Sequence, residues 1–402
     1  MVLRFDRPAD VVLHEFFRDH PELGSHDRAF VAESVFGVLR HKRLIDHLLP
    51  EASPRVQLLA YLTRVAGVSV RELAPVLKRD EADVMSRIKS VEADARSLAV
   101  DAELPDWVVD RLRPRMADSE ILALGRALQQ PAPLDLRVNT VRARRDEVLA
   151  ELAASGIDGR ATPYSPVGIR VRDRPAINRH PLFLTGAIEV QDEGSQLLAY
   201  LVAPRRGELV VDFCAGAGGK SLALGALMQS QGRVYAFDVS PRRLARLRPR
   251  LKRSGLSNLH PVLIANENDA RVKRLASRID RVLVDAPCSG LGTLRRNPDL
   301  KWRQSAASVE EMRRKQTAIL SAAARLLKPR GRLVYATCSL LAEENEDVVE
   351  GFLAAHPHYE RIDCAEILRA QRVDLDTGPY FRLRPDLHGT DGFFAAAMMR
   401  SV

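Results

Sequence analysis

The sequence has few cysteines, few aromatics and no long apolar run. Among its 402 residues are four cysteines, and only 5% are aromatic. No CxxC pair or zinc-binding spacing occurs, so we expect neither a disulfide scaffold nor a metal site. No run of about 18 apolar residues predicts a membrane span. The N-terminal residues lack a secretion-signal pattern, which makes the cytoplasm the expected compartment.

Positive charge, in contrast, is in excess. The chain carries 61 lysines and arginines against 52 acidic residues, a formal net charge of +9. Such an excess favours an anionic partner, and nucleic acid is the first candidate. The length predicts two or three domains, and the hydrophobic fraction of 46% is enough for a large core.

Three stretches with different periodicity divide the chain. Residues 1–128 place apolar side chains at helical spacing, as in 25–49, and predict an all-helical domain. Residues 131–190 begin with prolines and then mix strand-like and helical segments, which predicts a small α+β module. Residues 191–402 alternate short apolar runs with helices, which predicts an α/β, Rossmann-like domain with a mostly parallel sheet.

A glycine-rich turn, "CAGAGGKS", follows the first apolar run of the last domain. Gly216, Gly218 and Gly219 lack Cβ atoms where a ligand must approach the backbone. Asp238 ends the next run, about 20 residues downstream, where an acid can bind both ribose hydroxyls of a nucleoside. The turn is not GxGxxG, and Cys214 stands where a P-loop needs glycine. Nicotinamide and nucleotide-phosphate binding are therefore disfavoured.

Two cysteines follow the fourth and fifth apolar runs. Cys288 lies in "DAPCSG" and Cys338 in "ATCS". Because the carboxyl ends of adjacent parallel strands meet at one edge of a sheet, we expect both thiols there. Either could act as a nucleophile, and position alone does not choose between them.

These motifs resemble a known family. "DFCAGAGGK", "DAPCSG", "RRNPDLKW", "ATCS" and "DGFFAAAMMR" look like the RNA cytosine-5 methyltransferases of the Fmu/Sun/nucleolar-protein group, over most of residues 131–402. The N-terminal "DRAFVAESVFGVLR" is similar to the NusB-like domain of members that act on bacterial small-subunit (16S) rRNA. The family's glycine motif usually reads CAAPGGK, and this chain departs from it at Gly216 and Ala217.

The resemblance implies roles for individual residues. It implies that Cys338 is the nucleophile, that Cys288 assists release of the product RNA, and that Asp285 stabilises the activated cytosine. It also implies S-adenosylmethionine as cofactor, and RNA, with small-subunit rRNA the first choice, as partner. We expect a monomer. Expected cofactor contacts are Cys214, Ala215, Gly216, Ala217, Gly218, Gly219, Lys220, Asp238, Asn266 and Asp285, with Asn268 and Asp269 as alternatives to Asn266.

Contacts to RNA phosphates are expected from basic residues near the motifs. Arg295, Arg296 and Lys301 directly follow the Cys288 motif, and Arg137 resembles an RNA-facing element of the family. Phosphate contacts would make RNA binding sensitive to salt.

Several alternatives remain open. The same chemistry could act on tRNA, or on DNA, where the cysteine of the PC motif is normally the nucleophile. A non-catalytic RNA-binding assembly factor is another class, against which the intact Cys338, Cys288, Asp285 and Asp238 argue. The sequence names neither the modified cytosine nor whether naked RNA or an assembling subunit is the substrate.

Overall fold

Helices build the first of the two units into which the chain divides. The computed structural model describes residues 1–90 and 96–401. Unit 1 comprises Met1–Pro131 and Thr293–Ala306. The second of these segments was assigned from the sequence to the 191–402 domain, but its contacts are with the helices. The helices of the N-terminal segment are α1 (Ala9–Asp19), α2 (Ser25–Arg40), α3 (Lys42–Leu48), α4 (Pro54–Ala60), α5 (Val70–Leu73), α6 (Arg79–Ser90), α7 (Leu98–Asp101), α8 (Asp106–Leu112) and α9 (Asp118–Gln129).

The residues with apolar helical spacing at 25–49 form two helices. The chain turns at His41, between α2 and α3. Asp27 helps to cap α2, because its carboxylate accepts a hydrogen bond from the Gly24 backbone N–H at 3.3 Å. The apolar side chains of α2 and α3 pack into a core that includes Val38, Ile45, Leu59, Ala60, Leu73, Met85 and Ile88.

A four-stranded antiparallel sheet opens unit 2, which comprises Ala132–Gly292 and Ala307–Val402. The expected strand at "LDLRVNT", helix at "RRDEVLAELAASG" and strand at "GIRVRD" are confirmed, and two strands of three residues were missed. The order is β2-β3-β1-β4. The elements are β1 (Leu134–Val138), α10 (Arg145–Ala154), β2 (Gly159–Ala161), β3 (Gly168–Val171), α11 (Pro181–Leu184) and β4 (Ile188–Val190).

An eight-stranded sheet and the helices that pack on it form the rest of unit 2. Its order is β10-β12-β9-β8-β5-β6-β7, and β11 pairs with β12. The strands are β5 (Leu209–Asp212), β6 (Arg233–Asp238), β7 (Leu259–Leu263), β8 (Ile279–Asp285), β9 (Leu327–Thr337), β10 (Tyr359–Ile362), β11 (Phe381–Leu383) and β12 (Phe393–Arg400). The helices that follow α11 are α12 (Glu193–Val202), α13 (Gly219–Leu227), α14 (Pro241–Ser254), α15 (Ala270–Lys273), α16 (Leu300–Arg303, part of unit 1), α17 (Ala306–Ala324), α18 (Glu346–Ala355), α19 (Cys364–Ala370) and α20 (Pro385–His388).

The five predicted apolar runs are β5 to β9, and they pair in parallel. Only β12 and its neighbours are antiparallel. Both faces of the sheet are covered, since Val210 lies in a core cluster with residues of α12 and α13, whereas Val211 lies in another with residues of α17 and α18. The α/β, mostly parallel fold expected from the sequence is confirmed.

The strand order reverses at β5, which pairs with β6 on one side and β8 on the other. In such sheets the ligand binds beyond the carboxyl ends of the strands at the point of reversal. The glycine loop follows β5 there. Within residues 1–90 and 96–401, no helix is long and apolar enough to cross a membrane.

Candidate active site

The structure brings the two predicted thiols together. Cys338 follows the last residue of β9, and Cys288 lies three residues beyond the end of β8. The two strands pair in parallel, with Asp285 opposite Ala336. As a result, the sulfur atoms of Cys288 and Cys338 lie 3.3 Å apart. The backbone N–H of Cys338 also points to the sulfur of Cys288, at 3.3 Å.

The surroundings of Cys288 favour its protonated form. Its contact with the Cys338 sulfur, burial, and the negative charges of Cys338 and Glu344 raise the pKa of Cys288 well above its ordinary value. The Cys338 backbone N–H acts in the opposite direction but is outweighed. Cys288 therefore keeps its proton and can donate an S–H hydrogen bond to the sulfur of Cys338.

An ion pair lies next to the thiols. Lys220 Nζ donates a hydrogen bond to Asp285 Oδ2 at 2.6 Å. Burial alone would lower the pKa of Lys220, but the Asp285 carboxylate, with the charges of Cys338 and Asp212, raises it above its ordinary value. The ammonium group therefore stays charged beside Cys338. It also lies 5.6 Å from the ring centre of Phe393, at the start of β12.

The glycine loop, residues 213–218, links β5 to α13, which begins with Gly219 and Lys220. It contains the expected cofactor contacts Cys214, Ala215, Gly216, Ala217 and Gly218. Gly216 and Gly218 have φ angles of +57° and +83°, in the left-handed region that favours glycine. Their surroundings differ. A Cβ at Gly218 would lie 2.0 Å from Cδ1 of Leu247, whereas a Cβ at Gly216 would have no described atom within 4 Å. The absence of a Cβ at Gly218 therefore allows Leu247 to pack against the loop, and the open space at Gly216 can hold a ligand.

Asp238 connects the end of β6 to this loop. Its side chain is buried, and Oδ2 accepts a hydrogen bond from the Gly216 backbone N–H at 2.8 Å. Oδ1 accepts from the Ser240 N–H at 2.7 Å and from Arg243 Nε at 3.1 Å. The open space at Gly216 next to a carboxylate fits the nucleoside part of a cofactor.

Two arginines hold the loop in place by donating hydrogen bonds to its carbonyl oxygens. Arg250 of α14 donates to the Ala217 oxygen at 2.7 Å. Arg137 of β1 donates to the Gly219 oxygen at 2.6 Å, and also to the side chain of Gln191. Sequence reasoning missed the role of Arg250, whose only signal was its place in a strongly basic helix.

Arg137 does not occupy the position expected of an RNA contact. Its side chain is 4% exposed, and burial lowers its pKa to about 10. The guanidinium group faces the carbonyl of Gly219 rather than solvent. Its position supports a role in holding the cofactor loop.

The basic residues after the Cys288 motif belong to unit 1. Lys301 is buried, and its Nζ donates to the carbonyl oxygens of Arg40 and Glu103 at 2.6 and 2.7 Å. Burial lowers its pKa to about 8. Arg295 is also buried and Arg296 is half-buried. The positions of Lys301 and Arg295 do not support the predicted phosphate contacts, because both side chains lie within the helical unit.

The three candidates for the adenine contact differ in what they already bind. Asp269 caps α15 and accepts hydrogen bonds from the backbone N–H groups of Ala265 and Arg271, each at 2.8 Å. Asn268 bonds to Glu267 and Arg325. Asn266 is exposed, and its Oδ1 accepts from the Asn268 N–H at 2.8 Å. Asn266 remains the best candidate of the three, since its amide nitrogen points to no described partner.

The other two cysteines pack with the hydrophobic core. Cys364 is fully buried in the core, and burial raises its pKa to about 11. Burial also raises the pKa of Cys214 well above its ordinary value. In the described part of the chain, no cluster of three or more potential metal-binding side chains was found.

Comparison with known proteins gives consistent matches. The family model "16S rRNA methyltransferase RsmB/F" matches residues 199–399, and that of the "Methyltr_RsmF/B-like, ferredoxin-like domain" matches 104–178. A probable ribosomal RNA small subunit methyltransferase B from Synechocystis sp. is 31% identical over 432 residues, covering 99% of this chain and 96% of the relative.

Solved structures agree with these matches. The crystal structure of PH0851 has a TM-score of 0.79 and 25% identity, covering 98% of this chain and 95% of that one. A methyltransferase homolog protein from Pyrococcus horikoshii has a TM-score of 0.65 and 28% identity, covering 75% and 97%. The chain therefore belongs to the 16S rRNA methyltransferase RsmB/F family and is an S-adenosylmethionine-dependent RNA methyltransferase.

Proposed function

We propose that this protein methylates carbon 5 of a cytosine in small-subunit rRNA, with Cys338 as the nucleophile and Cys288 as the thiol that assists release. The observation that carries the proposal is the thiol pair, whose sulfur atoms lie 3.3 Å apart beside the glycine loop. The choice of small-subunit rRNA rests on the family and on the relative from Synechocystis sp.. The monomeric, metal-free and cytoplasmic state expected from the sequence stays a prediction.

Covalent catalysis explains why a thiol is needed. Carbon 5 of cytosine is a poor nucleophile, but addition of the Cys338 thiolate to carbon 6 moves electron density to carbon 5. Bound S-adenosylmethionine supplies the methyl group that carbon 5 takes up. Transfer of the carbon-5 proton to a base or a water molecule then re-forms the double bond and expels the Cys338 sulfur as a thiolate. Each bond made to Cys338 is broken again, so the enzyme is regenerated.

The neighbours of Cys338 suit both its addition to carbon 6 and its later departure. The Lys220–Asp285 pair offers a charged donor and a carboxylate to the polar edge of the cytosine ring, where charge changes during addition. Cys288, which keeps its proton, can hydrogen-bond to the Cys338 sulfur as it leaves. Gly216, Asp238 and Asn266 would hold the cofactor.

RNA containing 5-fluorocytidine tests the division of labour between the thiols. Fluorine cannot leave carbon 5 as a proton does, so the covalent adduct persists. We expect a persistent adduct with the wild-type protein and with Cys288→Ala, and none with Cys338→Ala, by denaturing gel electrophoresis. An adduct that requires Cys288 instead would reverse the assignment and match the DNA cytosine-5 pattern.

Bisulfite sequencing of RNA from a deletion strain tests the substrate. We expect one or more protected cytosines in 16S rRNA to become convertible, while tRNA positions stay unchanged. Protection lost only from tRNA would replace rRNA by tRNA as the substrate. Unchanged protection in all RNA, together with no adduct, would favour a non-catalytic assembly factor.

A further inference from the structure

A fully buried carboxylate lies beneath the two thiol-bearing loops. Glu344 ends a short 3₁₀ helix, Ala342–Glu344, and is 0% exposed. Its Oε1 accepts hydrogen bonds from the Ser289 backbone N–H at 2.8 Å and from Gln316 Nε2 at 3.0 Å. Its Oε2 accepts from the hydroxyls of Ser289 and Ser339, each at 2.5 Å. All four groups are donors, which suits an ionised carboxylate.

The two serines are the residues that follow the thiols. Ser289 comes directly after Cys288, and Ser339 comes directly after Cys338. The loops leave different strands, β8 and β9, yet a single carboxylate binds both. A buried charge is costly to desolvate unless it is fully hydrogen-bonded, and Glu344 meets that condition. Three of its four bonds come from Ser289 and Ser339, so they fix the two loops to each other, and the fourth ties the carboxylate to Gln316 of α17.

We propose that Glu344 is a positioning residue that sets the separation of Cys288 and Cys338 through Ser289 and Ser339. The inference rests on the proposed function, because the separation matters only if both thiols act in one reaction. Neither the resemblance nor the comparisons assign a role to Glu344. The sequence around Glu344, "LLAEENED", gave no sign of such a role.

The charge of Glu344 has a second, separable effect. The pKa of the Cys288 thiol responds to the Cys338 sulfur, to burial, to the Glu344 carboxylate and to the Cys338 backbone N–H. The Glu344 charge raises the Cys288 pKa. A variant without this charge should therefore change how Cys288 titrates, whereas a purely structural residue would not.

Glu344→Gln keeps the size of the side chain and removes its charge. Glu343→Gln makes the same change one residue away, at a half-buried position, and serves as the matched control. Alkylation of Cys288 by iodoacetamide is measured against pH by mass spectrometry, in a Cys338→Ala background where only the Cys288 thiol reacts at this site. We expect the alkylation midpoint to move to lower pH with Glu344→Gln and to stay in place with Glu343→Gln. An unmoved midpoint overturns the charge effect.

The positioning effect is measured with both thiols present. We expect Glu344→Gln to slow adduct formation on 5-fluorocytidine RNA by at least about tenfold, because the Ser339 hydroxyl loses its bond to a buried charge and the Cys338 loop is no longer held in place. The dissociation constant for S-adenosylmethionine should stay within about twofold of the wild-type value, as the cofactor loop is not touched. Adduct formation at the wild-type rate overturns the proposal.

Substitutions of the two serines test each loop separately. They also test the proposal if Glu344→Gln misfolds and loses cofactor binding. Both variants also remove the 3.1 Å contact between the Ser289 and Ser339 hydroxyls, so they differ in which loop loses its bond to Glu344. Ser339→Ala takes that bond from the Cys338 loop and should slow adduct formation. Ser289→Ala takes the hydroxyl bond from the Cys288 loop and should leave adduct formation intact while slowing turnover on ordinary cytosine. Wild-type behaviour of both overturns the proposal. Alkylation needs no RNA, so absence of any adduct with the wild-type protein would count against the proposed function alone.

Discussion

The glycine loop contains two positive-φ positions that should respond differently to the same substitution. Gly216, at φ +57°, has no described atom within 4 Å of where a Cβ would stand. At Gly218, with φ +83°, a Cβ would lie 2.0 Å from Leu247 Cδ1 and 2.9 Å from its Cγ. The close Cγ matters, because rotating the end of the Leu247 side chain cannot relieve it. Gly216→Ala therefore adds backbone strain alone, and Gly218→Ala adds strain and overlap.

The magnitudes follow from these two contributions. A left-handed conformation costs an L-residue about 1–2 kcal/mol, which is the expected loss of stability for Gly216→Ala. Forcing an extra methyl group into a packed core costs a further 1–3 kcal/mol or so. Leu247 is 0% exposed and cannot move toward solvent. We therefore expect Gly218→Ala to lower the free energy of unfolding of unit 2 by about 2–5 kcal/mol.

A double-mutant cycle with Leu247→Ala isolates the overlap. In that background the methyl group has room, so Gly218→Ala should cost only the strain of about 1–2 kcal/mol. The coupling energy should then be about 1–3 kcal/mol, and near zero for the control pair Gly216→Ala and Leu247→Ala. Hydrogen exchange of the β5 and α13 amides in urea reports the stability of unit 2. Equal costs for the two alanines, or a coupling near zero at Gly218, would refute the reasoning.

Two further predictions concern buried ionisable side chains of unit 2. Arg137→Met should raise the dissociation constant for S-adenosylmethionine by about tenfold or more in isothermal titration calorimetry, because the Gly219 carbonyl loses a charged donor; weaker RNA binding with unchanged cofactor binding would instead support the RNA contact. Burial raises the pKa of Asp212 from 3.8 to about 7. The folded state therefore holds a proton that the unfolded chain has released between about pH 4 and 7, so this group lowers stability as pH rises through that window. Asp212→Asn should flatten the pH dependence of urea unfolding there, and an unchanged slope would contradict the assignment.

The sequence predicted the central sheet because each of its parallel strands is a short, nearly continuous apolar run. Burial on both faces requires that pattern, and the motifs that matter stand at the ends of these runs. Cys288 and Cys338 were therefore expected at one edge, as found. The antiparallel β12 was noted only as a family motif, since "FFAAAMMR" contains no turn or alternation that reveals its direction.

The binding partners of individual side chains were harder to predict than the strands. Lys301 was expected to bind phosphate because it follows the Cys288 motif, and Arg137 because it resembles an RNA-facing element of the family. Each instead binds carbonyl oxygens distant in sequence, 82 residues away for Arg137 and 261 for Lys301. Local patterns hold no information on such partners. For the same reason Glu344 was overlooked, as its partners Ser289 and Gln316 lie 55 and 28 residues away.

The structure adds an asymmetry that the sequence could not supply. By position, Cys288 and Cys338 are equivalent thiols at the ends of neighbouring strands, and only the family resemblance distinguished them. In the folded chain the Glu344 carboxylate and the Cys338 sulfur both raise the pKa of Cys288. The charged Lys220, in contrast, lies close enough for the Cys338 charge to raise its pKa. A thiol held protonated suits a hydrogen-bond donor, which is the role proposed for Cys288 in release. The structure therefore supports Cys288 as the assisting thiol, which leaves Cys338 as the attacking one.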